Sequence, residues 1–154
     1  MSSGSKLLEI KKLVIEGFSD DKWVRIVHGI DLTLNRGEVL GLIGESGAGK
    51  STIGLAAMGY TRQGCRIASG SIVFDGKQLF DATNDVKRMI RGNRIAYVAQ
   101  SAAASFNPAH RLIKQYAESP VQHGLMSYAE AKKKAVEIYS RLLLPDPEHI
   151  GYRY

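Results

Sequence analysis

The sequence predicts a fold of the α/β class, and three stretches carry that expectation. Residues 39–43, Val-Leu-Gly-Leu-Ile, form an apolar run of strand length that leads directly into a glycine-rich loop and a helix start. Ahead of it, 8–15 and 23–34 alternate apolar and polar residues in the manner of half-buried antiparallel strands. Beyond it, 95–99, Ile-Ala-Tyr-Val-Ala, is a second compact apolar run, read as a core strand. A buried parallel core entered through an antiparallel layer fits that order.

The loop is the most specific feature of the chain. Gly44, Gly49, Lys50 and Ser51 fill the pattern G-x-x-x-x-G-K-[ST], with Glu45, Ser46, Gly47 and Ala48 between them and Thr52 following. Two glycines, a lysine and a serine or threonine in this register arise by chance in on the order of 1% of chains of this length. The flanking strand and helix patterns lower that figure. Such a loop points its main-chain N–H groups at phosphate oxygens, Lys50 supplies a full positive charge, and Ser51 offers a hydroxyl to Mg²⁺. A nucleoside triphosphate is the expected ligand. The plain alternative is a glycine-rich turn without a ligand.

In chain order, Leu8, Ile10, Leu13 and Ile15 mark the first strand, whose alternation breaks at Lys11-Lys12. A turn is expected at Ser19-Asp20-Asp21, followed by a strand with Val24, Ile26, Ile30, Leu32 and Leu34 on its apolar side. Phe18 and Trp23 flank that turn and can present an aromatic face to adenine, or simply pack. After the helix, 59–69 reads as a loop and 70–76 as a strand ending in an Asp75-Gly76 turn. Asp75 imitates a Mg²⁺-anchoring strand end, but Asp-Gly is a strong hairpin signal and the turn is the preferred reading.

Residues 85–94 are charged and expected as a short helix or loop, and 95–99 delivers Gln100. A glutamine at the tip of a buried strand lies where open α/β sheets bind ligands, and its amide can serve Mg²⁺ and orient a water. With a phosphate loop in the same chain, that role is preferred over a solvated loop glutamine. Residues 101–108 then form a small-residue loop with a turn at Asn107-Pro108, and 110–118 a helix stopped by Pro120. Ser127 and Glu130 make a capping box for a helix with Ala131, Ala135, Ile138 and Leu142 on one side. Lys132, Lys133 and Lys134 read as its solvated face, Pro145-Asp146-Pro147 as its end, and 149–154 has no obvious partner.

Composition narrows the class. The chain has 154 residues, 44% hydrophobic and 23% charged, with a net charge of +6, the values of an ordinary globular domain or part of one. The basic balance suits nucleic acid or an anionic surface, though a solvated basic face is the simpler reading in the absence of an arginine-rich tract. One cysteine, Cys65, excludes an intrachain disulfide framework and fits a reducing cytosol. No signal-peptide run or uninterrupted 18-residue apolar stretch is visible. The four histidines show no metal-ligand spacing.

Taken together, 36–52, then Val98-Ala99-Gln100 and Phe106-Asn107-Pro108, resemble the ATP-binding subunit of an ABC transporter, closest to the oligopeptide, dipeptide and nickel importers. The resemblance implies a P-loop core of ABC type with an N-terminal antiparallel β subdomain over 1–100. The glutamine loop and the beginning of a helical subdomain would occupy 101–154. It implies ATP and Mg²⁺ as cofactors, residues 44–52 around the phosphates, and Ser51 and Gln100 at the metal and water. The aromatic on adenine would be Phe18 in preference to Trp23. The implied partners are a second nucleotide-binding subunit and transmembrane permease subunits, with no nucleic acid. The implied place is the cytoplasmic face of the membrane.

The family's serine-glycine-glycine signature, its Asp-Glu strand end and its switch histidine do not occur through Tyr154. The resemblance therefore covers a front portion, expected to bind nucleotide, to hydrolyse it negligibly, and to leave sheet edges open. Two other readings stand beside it: an ABC-type ATPase acting on nucleic acid, and a small P-loop kinase or GTPase using Asp75 for Mg²⁺.

Overall fold

In the first strand, apolar residues at 8 and 10 give way to apolar residues at 13 and 15, so the inward face changes phase by one residue. A β-bulge is the physical answer, because a one-residue slip would otherwise turn half the strand inside out. The computed structural model, which describes residues 5–101 and 105–153, shows that bulge. Strand β1 (Lys6–Ser19) pairs antiparallel with β2 (Lys22–Asn35) and with β3 (Cys65–Phe74), and both registers shift between Ile10 or Lys11 and Leu13 or Val14. Lys12 takes a left-handed φ of 46°, and its N–H donates to Asp31 Oδ1 at 2.7 Å. Opposite it stands Gly70 at φ +108°, where an added Cβ would lie 2.7 Å from Leu13 Cα and the Lys11 and Lys12 carbonyls. Only glycine fits there.

A short strand β4 (Lys77–Gln78) completes a four-stranded antiparallel sheet in the order β2-β1-β3-β4. The predicted turns are present. Asp20 and Asp21 join β1 to β2 with φ of 50° and 58°, and Asp75 and Gly76 join β3 to β4 with φ of 47° and 76°. Both positive signs are those of the type I′ turn that matches strand twist. Ile10, Leu13, Ile15, Ile72 and Leu79 are the fully buried large side chains of this layer. Helix α1 (Lys50–Ala56) adds buried Ile53, Leu55 and Ala56. Sequence pattern placed β3 too late, since 65–69, expected as loop, pair with β1 from Gly17↔Cys65 onward. Arg66, Ala68 and Ser69 hid the strand by offering no apolar alternation.

The chain divides into two compact units, Met1–Arg88 and Met89–Tyr154, with helix α2 (Asn84–Ile90) at the division. In the second unit, α3 (Leu112–Gln122) and α4 (Tyr128–Arg141) bury Ile113, Ala117, Ala131 and Ala135. The Tyr116 and Tyr139 rings meet edge-on at 6.3 Å. The capping box at α4 is as predicted: Glu130 N–H donates to Ser127 Oγ at 3.3 Å and Ser127 N–H to Glu130 Oε2 at 2.7 Å. Helix α3, by contrast, runs through Pro120. A proline near the last turn removes one intrahelical bond only, and the N–H groups of His123, Gly124 and Leu125 still find the carbonyls of Ser119, Val121 and Pro120. The final residues, expected without a partner, have several. Gly151 packs against Ile113 and Tyr139, and the Leu112 N–H donates to the Arg153 carbonyl at 3.0 Å.

Two predicted core strands are not strands. Residues 39–43 carry no ladder, and Val39 and Ile43 are 97% and 99% exposed. Residues 96–99 are likewise irregular, with Val98 92% exposed and a single bridge, Arg91↔Ile95, just before them. A strand exists only where a neighbour takes its N–H and C=O groups. Among the described residues neither run has one. Residues 102–104, the middle of the predicted small-residue loop, and the termini 1–4 and 154 lie outside the described residues.

Candidate functional site

The phosphate-loop residues are delivered by β2. Its last residue, Asn35, opens a turn closed by Glu38 N–H to the Asn35 carbonyl at 3.2 Å, while Glu38 Oε2 accepts from the Asn35 N–H and side-chain amide at 2.7 and 3.0 Å. The chain then crosses 39–43 and curls. Within the loop, Ala48 N–H donates to the Glu45 carbonyl at 3.3 Å, and Gly47 and Gly49 have φ of 86° and 83°. Gly49 is buried against β2, where a Cβ would stand 3.2 Å from Val27 Cγ2 and 3.4 Å from the Ile26 carbonyl. That packing fixes the loop's exit on a rigid strand.

Lys50 points back into the curl. Its Nζ donates to the carbonyls of Gly44 at 2.7 Å and Glu45 at 2.5 Å, so the loop closes around an ammonium group. Helix α1 starts at this residue, which leaves the N–H groups of Lys50, Ser51 and Thr52 without a carbonyl one turn earlier in the helix. Gly44, Glu45, Ser46, Gly47, Ala48 and Ser51 are exposed; Lys50 and Thr52 are half-buried. The arrangement is a largely exposed loop whose carbonyls hold one ammonium group, followed directly by the N–H groups of a helix start.

Phe18 and Trp23 face each other as register partners at the β1–β2 turn, ring centroids 5.2 Å apart. Arg66 lies over the Trp23 ring at 4.1 Å and is held there by Glu16 Oε2, which accepts from Nε at 3.0 Å and from Nη2 at 2.9 Å. Trp23 thus has one face covered by a guanidinium, while Phe18 is 53% exposed. Both Arg66 and Glu16 went unnoticed in the sequence, although Glu and Arg on facing strands are a readable pair once β3 is placed correctly. Asp75 is in the hairpin turn, paired with Arg36, and takes part in the antiparallel sheet. Gln100 belongs to the second unit and is exposed, at the start of the loop that leads to α3.

A family model described as ABC transporter matches residues 27–152. The chain belongs to the ABC transporter family. Among curated relatives, it is 34% identical to the probable peptide ABC transporter ATP-binding protein of Sinorhizobium fredii, covering 92% of this chain and 43% of that one. It is also 34% identical to the dipeptide transport ATP-binding protein of Lactococcus lactis, covering 95% of this chain and 42% of the relative. The chain therefore spans less than half the length of these relatives. Among solved structures, a dimeric ATP-binding cassette in a post-hydrolysis state bound to ADP and Pi superposes with a TM-score of 0.76 at 19% identity. That match covers 96% of this chain and 61% of the other, and it fixes the fold as that of an ATP-binding cassette. Among the described residues, no helix is long and apolar enough to cross a membrane.

Proposed function

We propose that this chain is the nucleotide-binding front portion of a subunit that couples ATP binding and hydrolysis to peptide import. The observation that carries the reading is the closed curl of 44–50 around the Lys50 ammonium, seated on β2 through Gly49. Loop carbonyls that now hold Lys50 can release it to the β- and γ-phosphates of ATP, while the N–H groups at the start of α1 take phosphate oxygens. Ser51 is the Mg²⁺ ligand of this set. Gln100 serves the metal and the attacking water, as the resemblance implies.

Phe18 is the ring for adenine, because Arg66 already covers a face of Trp23. From Ile26, which touches Gly49, back to Trp23 is three residues, or about 10 Å of strand, a span commensurate with a nucleotide. The peptide assignment is supported by the names of the relatives. The partners follow from the same reading: a second nucleotide-binding subunit, and permease subunits that place the protein on the cytoplasmic face of a membrane. Within 1–154 the set supports binding; hydrolysis needs a carboxylate to polarise water, which the resemblance places later in the family's chain.

Titration of the 154-residue chain with Mg·ATP tests the proposal directly, by equilibrium dialysis and by the fluorescence of its one tryptophan, Trp23. Saturable binding is expected. Lys50→Ala should weaken it by roughly tenfold to 150-fold, the loss of one charge-assisted hydrogen bond worth about 1.5–3 kcal/mol. A folded wild-type protein that fails to bind, or an alanine variant that binds equally well, ends the reading.

A further inference from the structure

Next to the β1–β2 turn, one face of the sheet carries four side chains in a closed circuit. Glu16 and Phe18, two residues apart on β1, share that face; Phe18 is the register partner of Trp23 on β2, and Glu16 that of Arg66 on β3. Trp23 and Arg66 come from the two strands that flank β1 and meet across it, the guanidinium carbon 4.1 Å from the ring centroid. Glu16 Oε2 accepts from Arg66 Nε at 3.0 Å and from Nη2 at 2.9 Å, which fixes the guanidinium plane as well as its position. The Phe18 ring closes the circuit against Trp23, at 5.2 Å and an interplanar angle of 59°.

The main chain under Phe18 is set by other contacts. Phe18 N–H donates to the Gly64 carbonyl at 2.8 Å, and a Cβ at Gly17 would lie 2.7 Å from Ile26 Cδ1. The Cγ2 of the same Ile26 stands 3.5 Å from the place of a Cβ at Gly49, so one side chain spaces the strand of Phe18 from the phosphate loop. What the backbone leaves open is the rotation of the Phe18 ring, an exposed side chain with two torsions of its own. A base that must order the ring on arrival loses affinity to that ordering. Packing on Trp23 restricts the ring, and Trp23, itself exposed, is restricted in turn by the guanidinium over it. An exposed ion pair adds little to stability, so the consequence of this one is orientation.

We propose that Arg66 is a positioning residue for the nucleobase: anchored by Glu16, it holds Trp23 and thereby sets the Phe18 ring on which adenine stacks. The inference rests on the ATP reading above, with Phe18 as the adenine ring. Arg66 acts through Trp23, and a lysine is a poor substitute because it lacks the planar fork that Glu16 grips.

Two ligands separate base from phosphate, Mg·ATP and Mg·tripolyphosphate, each measured by equilibrium dialysis against the 154-residue chain. Phe18→Ala should weaken ATP by about fivefold to 150-fold, the worth of one base–aromatic stack, with tripolyphosphate held as in wild type. Arg66→Ala should weaken ATP by about threefold to tenfold and leave tripolyphosphate within about 1.5-fold of wild type. Arg66→Lys, which keeps the charge and gives up the fork, should fall between wild type and Arg66→Ala for ATP alone. Urea unfolding reports whether each variant is folded; if Arg66→Ala is not, Arg66→Lys carries the comparison and must show the same base-selective loss. The proposal is overturned if ATP affinity is unchanged in Arg66→Ala, or if ATP and tripolyphosphate weaken by the same factor, as a merely structural role requires. A Phe18→Ala variant that binds ATP like wild type removes the stacking ring, and this inference with it, while the phosphate loop stands. Failure of wild type to bind either ligand removes the ATP reading itself.

Discussion

Replacing Gly49 with alanine separates the physical reason for the loop's shape from its sequence pattern. Gly49 has φ +83°, a region that costs an L-residue roughly 1–2 kcal/mol, and the new Cβ would stand 3.2 Å from Val27 Cγ2. The neighbour must give by a few tenths of an ångström, which adds to the conformational cost. Gly54, five residues on and inside α1, is the internal control. Its φ is not left-handed, nothing lies within 4 Å of an added Cβ, and alanine is favoured over glycine there by about 0.5–1 kcal/mol. Identical chemistry at two positions of one unit therefore has opposite signs. Urea unfolding followed by Trp23 fluorescence reads that unit, and with a slope of about 1–3 kcal/mol per M the midpoint of Gly49→Ala should fall by roughly 0.5–1 M. Gly54→Ala should move it up by a smaller amount. Equal midpoints for wild type and Gly49→Ala, or a fall for Gly54→Ala as large as that for Gly49→Ala, would refute the reasoning.

Three further outcomes concern the second unit. Ser127→Ala should cost about 1 kcal/mol, typical of losing an N-cap side chain, measured as a lowered thermal midpoint. The Glu130 carboxyl is held below its ordinary range by the main-chain and hydroxyl hydrogens of Ser127. Its contribution is present above the unfolded value near 4.5 and is lost as pH falls through the lower folded value, so α4 should loosen on acidification. Glu130→Gln should flatten that dependence in a circular-dichroism titration. His149 behaves in the opposite sense. Hydrogen bonding and charge attraction from Asp146 raise its pKa, so the stabilisation is complete below the unfolded 6.5 and disappears as pH rises through the folded value. An NMR titration should find the His149 midpoint displaced downward in Asp146→Asn and unchanged in Glu137→Gln.

The features legible in the sequence were those governed by local rules. The break in alternation at Lys11-Lys12 lies where β1 is bulged, Asp75-Gly76 marked a hairpin turn, and Ser127 with Glu130 announced the α4 cap. Each depends on neighbours a few residues away. Features set by distant partners escaped. Cys65 to Ser69 became strand because β1 was available to pair with it, not because its own pattern alternates. Pro120 remained inside α3 because buried Ile113 and Ala117 hold the helix whatever one proline removes. Arg66 went unseen for the same reason: its role exists only once Trp23 is brought beside it. The phosphate loop is the instructive middle case, since its residues were fixed by motif while its seat on Ile26 and Val27 was not.

The two apolar runs at 39–43 and 95–99 press the point furthest. Their composition is that of strands buried on both faces, yet Val39, Ile43 and Val98 stand almost fully in solvent and no ladder includes them. Composition of this kind records an environment, and the environment is hydrogen-bonding neighbours that the described residues do not contain. The loop between 44 and 50 nevertheless keeps its curl, because its anchors are elsewhere: Glu38 on Asn35 before the run, Gly49 on Val27 after it, and Lys50 on the loop's own carbonyls. The geometry of the 44–50 loop is thus held from the antiparallel sheet and from within. It does not depend on pairing of the strand pattern that leads into it, and this permits binding to be tested in the 154-residue chain alone.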